Sequence, residues 1–203
     1  LVNYLWPLLI VVLAPLFNKH IQLKARQVIA AISGFAGAAL VMTGGNAIST
    51  DFNVGYLAAL ASAFIWATYS LMTQRVAAFH TAAIGMFGLV SGLLSLACHF
   101  ALEAPTLLNP QDIGLLIWMG LGPLGLAFYA WDAALKIGNA QQIGLLSFIT
   151  PLGSTVLLLI DRQEALTPLV AWAGVLIVGG AWLGPHTGPP VAANDPHYET
   201  SLH

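Results

Sequence analysis

The sequence predicts an all-α integral membrane protein with seven transmembrane helices. Only 7% of its 203 residues are charged, whereas 58% are hydrophobic, and the mean hydropathy is +0.83. Soluble domains usually carry about 25% charged residues, and a soluble protein with so few would expose large apolar patches. No segment alternates apolar and polar residues as a strand would. Since backbone groups in lipid must be satisfied internally, helices are the expected elements.

Seven apolar segments are long enough, or nearly so, to cross a membrane, which takes about 20 residues of helix. The connectors between them hold most of the charge and much of the Asn, Gln and Pro. These polar interruptions fix the predicted spans at 3–17, 26–43, 54–73, 81–102, 113–135, 143–160 and 166–183.

The connector charges predict which side of the membrane each connector occupies. If the connectors alternate between two sides, one side receives five basic residues, Lys19, Lys24, Arg26, Arg75 and Lys136. The other receives Asp51, Glu103, Asp112, Asp161, Arg162 and Glu164. By the positive-inside rule the first side is cytoplasmic. The polar, Pro-rich segment 185–203 falls on the same side, and we expect it to be a disordered cytoplasmic tail.

Two helix pairs in this chain resemble each other. Leu5-Trp6-Pro7-Leu8 in the first span corresponds to Ile149-Thr150-Pro151-Leu152 in the sixth, and the small-residue run 34–40 in the second corresponds to 174–180 in the seventh. The period of five helices is odd, so the second copy crosses the membrane in the opposite direction. Such an inverted repeat is typical of secondary transporters. The alternative is a chance likeness between two apolar hairpins.

A five-helix period leaves the third, fourth and fifth spans without counterparts. The sequence therefore predicts a ten-helix (5+5) parent, of which this chain carries helices 4–10 and lacks about three N-terminal helices. The corresponding domain prediction has three parts. Residues 1–45 form the last two helices of the first repeat, 54–184 form the complete second repeat, and 185–203 form the tail.

Several short motifs resemble the EamA family of the drug/metabolite transporter superfamily, and among its members most resemble bacterial inner-membrane exporters of aromatic amino acids. They are Asn3-Tyr4-Leu5-Trp6-Pro7, Phe64-Ile65-Trp66-Ala67-Thr68-Tyr69, Gly125 to Asp132, Gly138-Asn139-Ala140 and Phe148-Ile149-Thr150-Pro151. The resemblance covers about residues 1–183. It implies a carrier that exports small metabolites such as amino acids, aromatic ones among them, by alternating access. One departure is Asp132, where the aromatic exporters tend to carry Asn.

Aromatic residues near helix breakers are the first candidate site. Planar substrates are held by ring stacking, and a cationic amine can sit over a ring face. Trp and Tyr also anchor helices at the membrane interface, which explains Trp66 poorly because it lies in mid-span. The predicted cavity residues are Asn3, Tyr4, Trp6, Trp66, Tyr69, Tyr129 and Trp131.

Asp132 is the only acidic residue inside a predicted span. An ionised carboxylate in the membrane costs at least about 2.5–3.5 kcal/mol, so it usually faces a cavity, finds a partner or takes a proton. Asp132 is therefore a candidate for binding a substrate amine or coupling to protons. The alternative is an i,i+4 ion pair with Lys136 near the helix end.

Prolines inside spans are the third candidate set, since each removes a backbone donor and bends its helix. Pro7, Pro123 and Pro151 are the predicted hinges, and Pro15 also interrupts a span. Small residues at 34–38, 88–92 and 179–180 are more simply explained by close helix packing.

Other function classes find little support. The net charge of -2 leaves no basic patch for nucleic acid, and a single cysteine, Cys98, excludes a disulfide framework. No enzyme motif, metal site or cofactor-binding motif is present, so the predicted partners are the lipid bilayer and a small-molecule substrate. A light sensor would need a lysine in the last span, which has none. A non-transporting membrane scaffold or receptor-like protein remains the alternative to a carrier.

Overall fold

The computed structural model of the chain describes residues 1–19, 21–46, 53–74, 79–104 and 107–184. Within these residues every regular element is helical. The α-helices are α1 (Trp6–Phe17), α2 (Ala25–Thr43), α3 (Gly55–Thr73), α4 (Ala83–Leu102), α5 (Pro110–Leu121), α6 (Ala127–Ile137), α7 (Ala140–Leu146), α8 (Ile149–Asp161) and α9 (Pro168–Leu183). A 3₁₀ turn, Val2–Leu5, precedes α1, and a π turn, Gly122–Leu126, joins α5 to α6. Asp51, Arg75 and the predicted tail 185–203 lie outside the described residues.

Five helical segments in the described part of the chain are long and apolar enough to cross a membrane. They are Ala25–Thr43, Gly55–Thr73, Ala83–Leu102, Pro110–Ile137 and Ala140–Asp161. Two shorter apolar segments, Val2–Phe17 and Pro168–Leu183, occupy the first and last predicted spans. The prediction of an all-α membrane protein is confirmed, and the count of seven apolar segments is consistent with the structure.

Side-chain caps explain where several helices begin. Asn109 Oδ1 accepts from the Asp112 amide at 2.9 Å, and Pro110 fills the first turn of α5, where no donor is needed. Asn139 Oδ1 accepts from the amides of Gln141 and Gln142 at 2.9 and 3.3 Å. The cap at Asn139 starts α7 at Ala140, so the sequence expectation of a loop through Gln142 is wrong.

Pro7 and Pro151 produce the same local geometry. Each removes the amide that would bond the carbonyl four residues earlier. At Pro7 the Asn3 carbonyl accepts from the Trp6 amide instead, and at Pro151 the Ser147 carbonyl accepts from the Thr150 amide at 3.1 Å. The three-residue bonds tighten the chain, so the first span divides into a 3₁₀ turn and α1, and the sixth divides into α7 and α8.

Pro123 is accommodated differently. It lies in the π turn at Gly122–Leu126, inside the 28-residue helical segment Pro110–Ile137. A π turn adds a residue to the helical turn and relieves the clash of the proline ring with the preceding turn. The sequence expectation that Pro123 interrupts its span agrees with this local geometry.

The chain divides into two compact units, one comprising Leu1–Arg75 with Ile137–His203 and the other Val76–Lys136. In the first unit the most extensive packing joins α2 to α9. A cluster of buried side chains lies along this contact, formed by Val11, Ala30, Ala31, Ala38, Leu145, Phe148 and Ile177. The Phe148 ring lies directly on Gly34, where a Cβ would be 2.5 Å from Phe148 Cδ2.

Glycines let α2 and α9 approach each other closely. A Cβ at Gly37 would lie 2.8 Å from the Ala173 carbonyl oxygen, and one at Gly180 would lie 2.7 Å from the Ala30 carbonyl oxygen. Ser33 Oγ donates to the Leu176 carbonyl at 2.8 Å between the two glycines. The sequence analysis explained the small residues at 88–92 and 179–180 by close helix packing as well. Gly88, Gly92 and Gly179 show no such packing, because no described neighbour lies within 4 Å of their Cβ positions.

Candidate substrate site

Three of the predicted site residues form an aromatic cluster in the first unit. The ring centroids of Trp6 and Trp66 are 6.4 Å apart with planes at 85°, an edge-to-face contact. The centroids of Trp66 and Tyr69 are 5.4 Å apart with planes at 33°. All three side chains are partly exposed, so ring surface stays available for a ligand. Such rings can stack on a planar apolar group or lie against a cationic amine.

The helices explain why these three rings meet. Trp66 and Tyr69 are three residues apart on α3 and therefore share a face. Ala63 and Ala67 on α3 are fully buried, and these small side chains allow α3 to lie close to α1 and its 3₁₀ turn, against which it packs. Trp66 lies near the middle of Gly55–Thr73, as the sequence predicted.

Asn3 and Tyr4 belong to the 3₁₀ turn that precedes Trp6. Asn3 is exposed and Tyr4 is partly exposed. The turn packs against α3, the helix that carries Trp66 and Tyr69. The structure therefore places five predicted residues, Asn3, Tyr4, Trp6, Trp66 and Tyr69, on two neighbouring segments of one unit.

The remaining predicted residues, Tyr129, Trp131 and Asp132, lie on α6 in the second unit. The Tyr129 hydroxyl lies against Gly85 of α4 and leaves no room there for a Cβ. Trp131 is partly exposed. An open groove runs along α4, lined by Phe87, Val90, Ser91, Leu94, Ser95 and Cys98. None of the predicted site residues lines this groove.

Asp132 is fully buried, and Lys136 Nζ lies 2.6 Å from its Oδ2. This is the i,i+4 ion pair that the sequence left as the alternative. Lys136 Nζ also donates to the Phe79 carbonyl at 2.8 Å and to Thr81 Oγ1 at 3.0 Å, and it lies 4.2 Å from the centre of the Phe79 ring. Neither carboxylate oxygen accepts a well-aligned hydrogen bond from a described residue. The pair therefore offsets the charge of the buried Asp132 carboxylate.

Gln141 is a buried polar residue of α7 that the sequence analysis placed in a connector. It is 1% exposed, and its Nε2 donates to the Val11 carbonyl at 3.1 Å. In a regular helix Val11 would accept from the amide of residue 15, but that residue is proline, which has no amide hydrogen. The Gln141 amide therefore replaces the missing donor and ties α7 to α1. The sequence carried two clues to this bond: Pro15 lies inside the first predicted span, and Gln141 lies just before the sixth.

No group of three or more His, Cys, Asp or Glu side chains in the described ranges is arranged to hold a metal ion. His99 pairs with Glu103, at 2.6 Å between His99 Nδ1 and Glu103 Oε2, one turn apart at the exposed end of α4. Cys98 is exposed. Among the predicted site residues, the aromatic cluster and the Asp132–Lys136 pair are therefore the two candidate functional arrangements.

Comparison with known sequences identifies one family. The sequence model of the EamA-like transporter family matches residues 53–183. Two proteins described as "Aromatic amino acid exporter YddG" are similar to this chain. The one from Ancylobacter novellus is 37% identical over 89% of this chain and 64% of its own length. The one from Escherichia coli is 27% identical over 93% of this chain and 67% of its own length.

A solved crystal structure has the same fold over most of the chain. It matches with a TM-score of 0.81 and 36% sequence identity, over 90% of this chain and 63% of the other. The chain thus spans just under two thirds of the length of both the Ancylobacter relative and the matching structure.

Proposed function

The chain belongs to the EamA-like transporter family, and on that premise we propose that it exports small metabolites, namely aromatic amino acids, from the bacterial cytoplasm. The observation that carries the proposal is the cluster of Trp6, Trp66 and Tyr69, partly exposed rings held together beside a helix break. Stacking between such rings and an aromatic side chain contributes about 0.5–1.5 kcal/mol per pair beyond area burial. The names of the relatives point to the same substrate class.

The proposed architecture is a ten-helix carrier of two inverted five-helix repeats, in which this chain supplies helices 4–10. The matched breaks at Pro7 and Pro151 support it, because corresponding Pro-interrupted segments in two halves are a known mark of transporter binding sites. The family match at 53–183 supports the proposed complete repeat at 54–184, with 1–45 as the end of the first.

The contact between α2 and α9 also supports the repeat. A Cβ at Gly37 would meet Ala173 and Ile177, which lie seven and three residues before Gly180. In the same way, a Cβ at Gly180 would meet Ala30 and Gly34, which lie seven and three residues before Gly37. Reciprocal contacts of this kind are expected across a two-fold axis. This register pairs Gly37 with Gly180, three residues away from the sequence alignment that set Gly34 beside Gly174.

We further propose that transport proceeds by alternating access, with Pro7, Pro123 and Pro151 as hinges. The proposed substrate-binding residues are Asn3, Tyr4, Trp6, Trp66 and Tyr69 in the first unit and Tyr129, Trp131 and Asp132 in the second. The charges of the basic connectors support a cytoplasmic C-terminus as part of this proposal. Asp132, a buried carboxylate paired with Lys136, is proposed to receive the substrate amine or a proton.

Efflux measured on the full-length gene product tests this function. Cells preloaded with labelled L-phenylalanine should lose it faster when the gene is expressed, and Trp66→Ala should reduce the rate. Trp118→Ala is the matched control, because Trp118 is 74% exposed on a different helix and outside the proposed cavity. Equal efflux with and without expression, across aromatic and other amino acids, would favour a non-transporting membrane protein.

A further inference from the structure

Thr150 and Ser154 are exposed residues of α8, and neither hydroxyl has a hydrogen-bond partner among the described residues. Three threonines in other helices, Thr43, Thr68 and Thr73, each donate their hydroxyl to the carbonyl four residues earlier. Thr150 makes no such bond with a described residue, and it directly follows the break in α-helical geometry between Leu146 and Ile149.

The two hydroxyls lie deep in the predicted membrane. Thr150 is at the middle of the 22-residue segment Ala140–Asp161, and Ser154 is one turn further on the same face. The face becomes apolar at Leu157, so the hydroxyls occupy only the two turns next to the break. A hydroxyl left without a partner in an apolar medium is unfavourable, because it loses its hydrogen bonds to water. Thr150 and Ser154 are therefore expected to meet water or a ligand and not lipid.

The matched proline breaks relate this face to the aromatic cluster. The Trp6 amide bonds the Asn3 carbonyl before Pro7, and the Thr150 amide bonds the Ser147 carbonyl before Pro151. Thr150 is thus the counterpart of Trp6, whose ring contacts Trp66. The α7 segment packs on α1 in the same unit, with Gly144 against Ile10 and the Pro7 carbonyl, so both breaks belong to one packed region.

We infer that Thr150 and Ser154 form the polar wall of the substrate cavity and bind the ammonium and carboxylate groups of an amino acid. The cluster of Trp6, Trp66 and Tyr69 binds the side chain of the same substrate. This inference rests on the proposed function and deepens it, because it assigns two ends of one substrate to two corresponding helix breaks. Hydroxyls suit the polar end, since each can donate to a carboxylate and accept from an ammonium group.

Cysteine accessibility in membranes tests the assignment without relying on transport. In a Cys98→Ser background of the full-length gene product, Thr150→Cys and Ser154→Cys are exposed to a charged, membrane-impermeant methanethiosulfonate reagent. Both should be modified, and L-tryptophan should slow the modification several-fold. Val175→Cys is the matched control, an exposed apolar position (60%) halfway along α9, and it should stay unmodified.

A second pair of variants tests specificity. Thr150→Val removes the hydroxyl at almost unchanged volume. In the Ser154→Cys background it should weaken, about tenfold, the protection that L-tryptophan gives the cysteine against the reagent. It should not affect protection by indole, which lacks both charged groups. Thr68→Val, which removes a hydroxyl already bonded within its own helix, should change neither.

The outcomes separate this inference from the proposed function. If Thr150→Cys and Ser154→Cys are as unreactive as Val175→Cys, or are modified but never protected, the polar wall is wrong even if efflux is normal. If both are protected by L-tryptophan but no efflux is found, the substrate site stands and the transport function fails.

Discussion

Gln141 and Asp132 are buried polar side chains in an otherwise apolar protein, and each is held by a partner close by. Gln141 bonds the carbonyl that Pro15 leaves without a donor, and Asp132 pairs with Lys136. Because unpaired polar groups are expensive in a low-dielectric interior, both partnerships give testable effects on stability.

Replacing Gln141 by Leu should lower the free energy of unfolding by about 1–3 kcal/mol, since it leaves the buried Val11 carbonyl without a partner. In a Pro15→Ala background the same change should cost less, because residue 15 then supplies the missing amide. Thermal denaturation in detergent of the wild type, both single variants and the double variant measures this coupling. Gln22→Leu, at an exposed connector position, is the control. Equal losses in the two backgrounds would show that Gln141 does not replace the Pro15 donor.

Replacing Lys136 by Met should destabilise the protein by about 3–5 kcal/mol, because it leaves the Asp132 carboxylate buried without a counter-charge. Adding Asp132→Asn should recover much of that loss. Denaturation midpoints of the two single variants and the double variant test this. A Lys136→Met protein as stable as the wild type would indicate that Asp132 binds a proton or lies in water.

At the scale of helices, the contact of α2 with α9 depends on glycines that no side chain can replace without movement of a backbone. Gly180→Ala and Gly37→Ala should each cost about 1–3 kcal/mol, because the new methyl group meets a carbonyl oxygen of the opposite helix. Gly179→Ala is the matched control. It has open space at its Cβ position and should be neutral or slightly stabilising, since Ala is the better helix former. Comparable losses at 179 and 180 would contradict this packing.

How far the sequence predicts this molecule depends on which physical signal each element carries. Hydropathy locates all seven apolar segments, because each must match the membrane thickness. It misplaces the start of α7, because a cap at Asn139 and the Val11 carbonyl, both invisible to hydropathy, draw Gln141 and Gln142 into a helix. Trp6, Trp66 and Tyr69 were predicted as candidate residues because they lie near helix breakers, and the mid-span position of Trp66 favoured it further. That the rings of Trp6 and Trp66 are in contact could not be predicted, because it depends on the packing of α1 against α3.

Thr150 shows why the rest of the site was not predicted. In the sequence, Thr150 belongs to the motif that resembles the family and to the segment that corresponds to Leu5-Trp6-Pro7-Leu8. Neither pattern indicates whether its hydroxyl is exposed or already bonded within the helix. The exposed face of α8 is a property of packing and not of composition.

At the scale of the whole molecule, the central claim is that the full-length gene product exports aromatic amino acids through a cavity that includes Trp6, Trp66 and Tyr69. Efflux of labelled L-phenylalanine from preloaded cells, compared for wild type, Trp66→Ala and Trp118→Ala, tests it most directly. We expect faster efflux with the wild type than without expression, a loss of at least fivefold for Trp66→Ala, and wild-type rates for Trp118→Ala. Efflux that is unchanged by Trp66→Ala, or absent in the well-folded wild type, would contradict the claim.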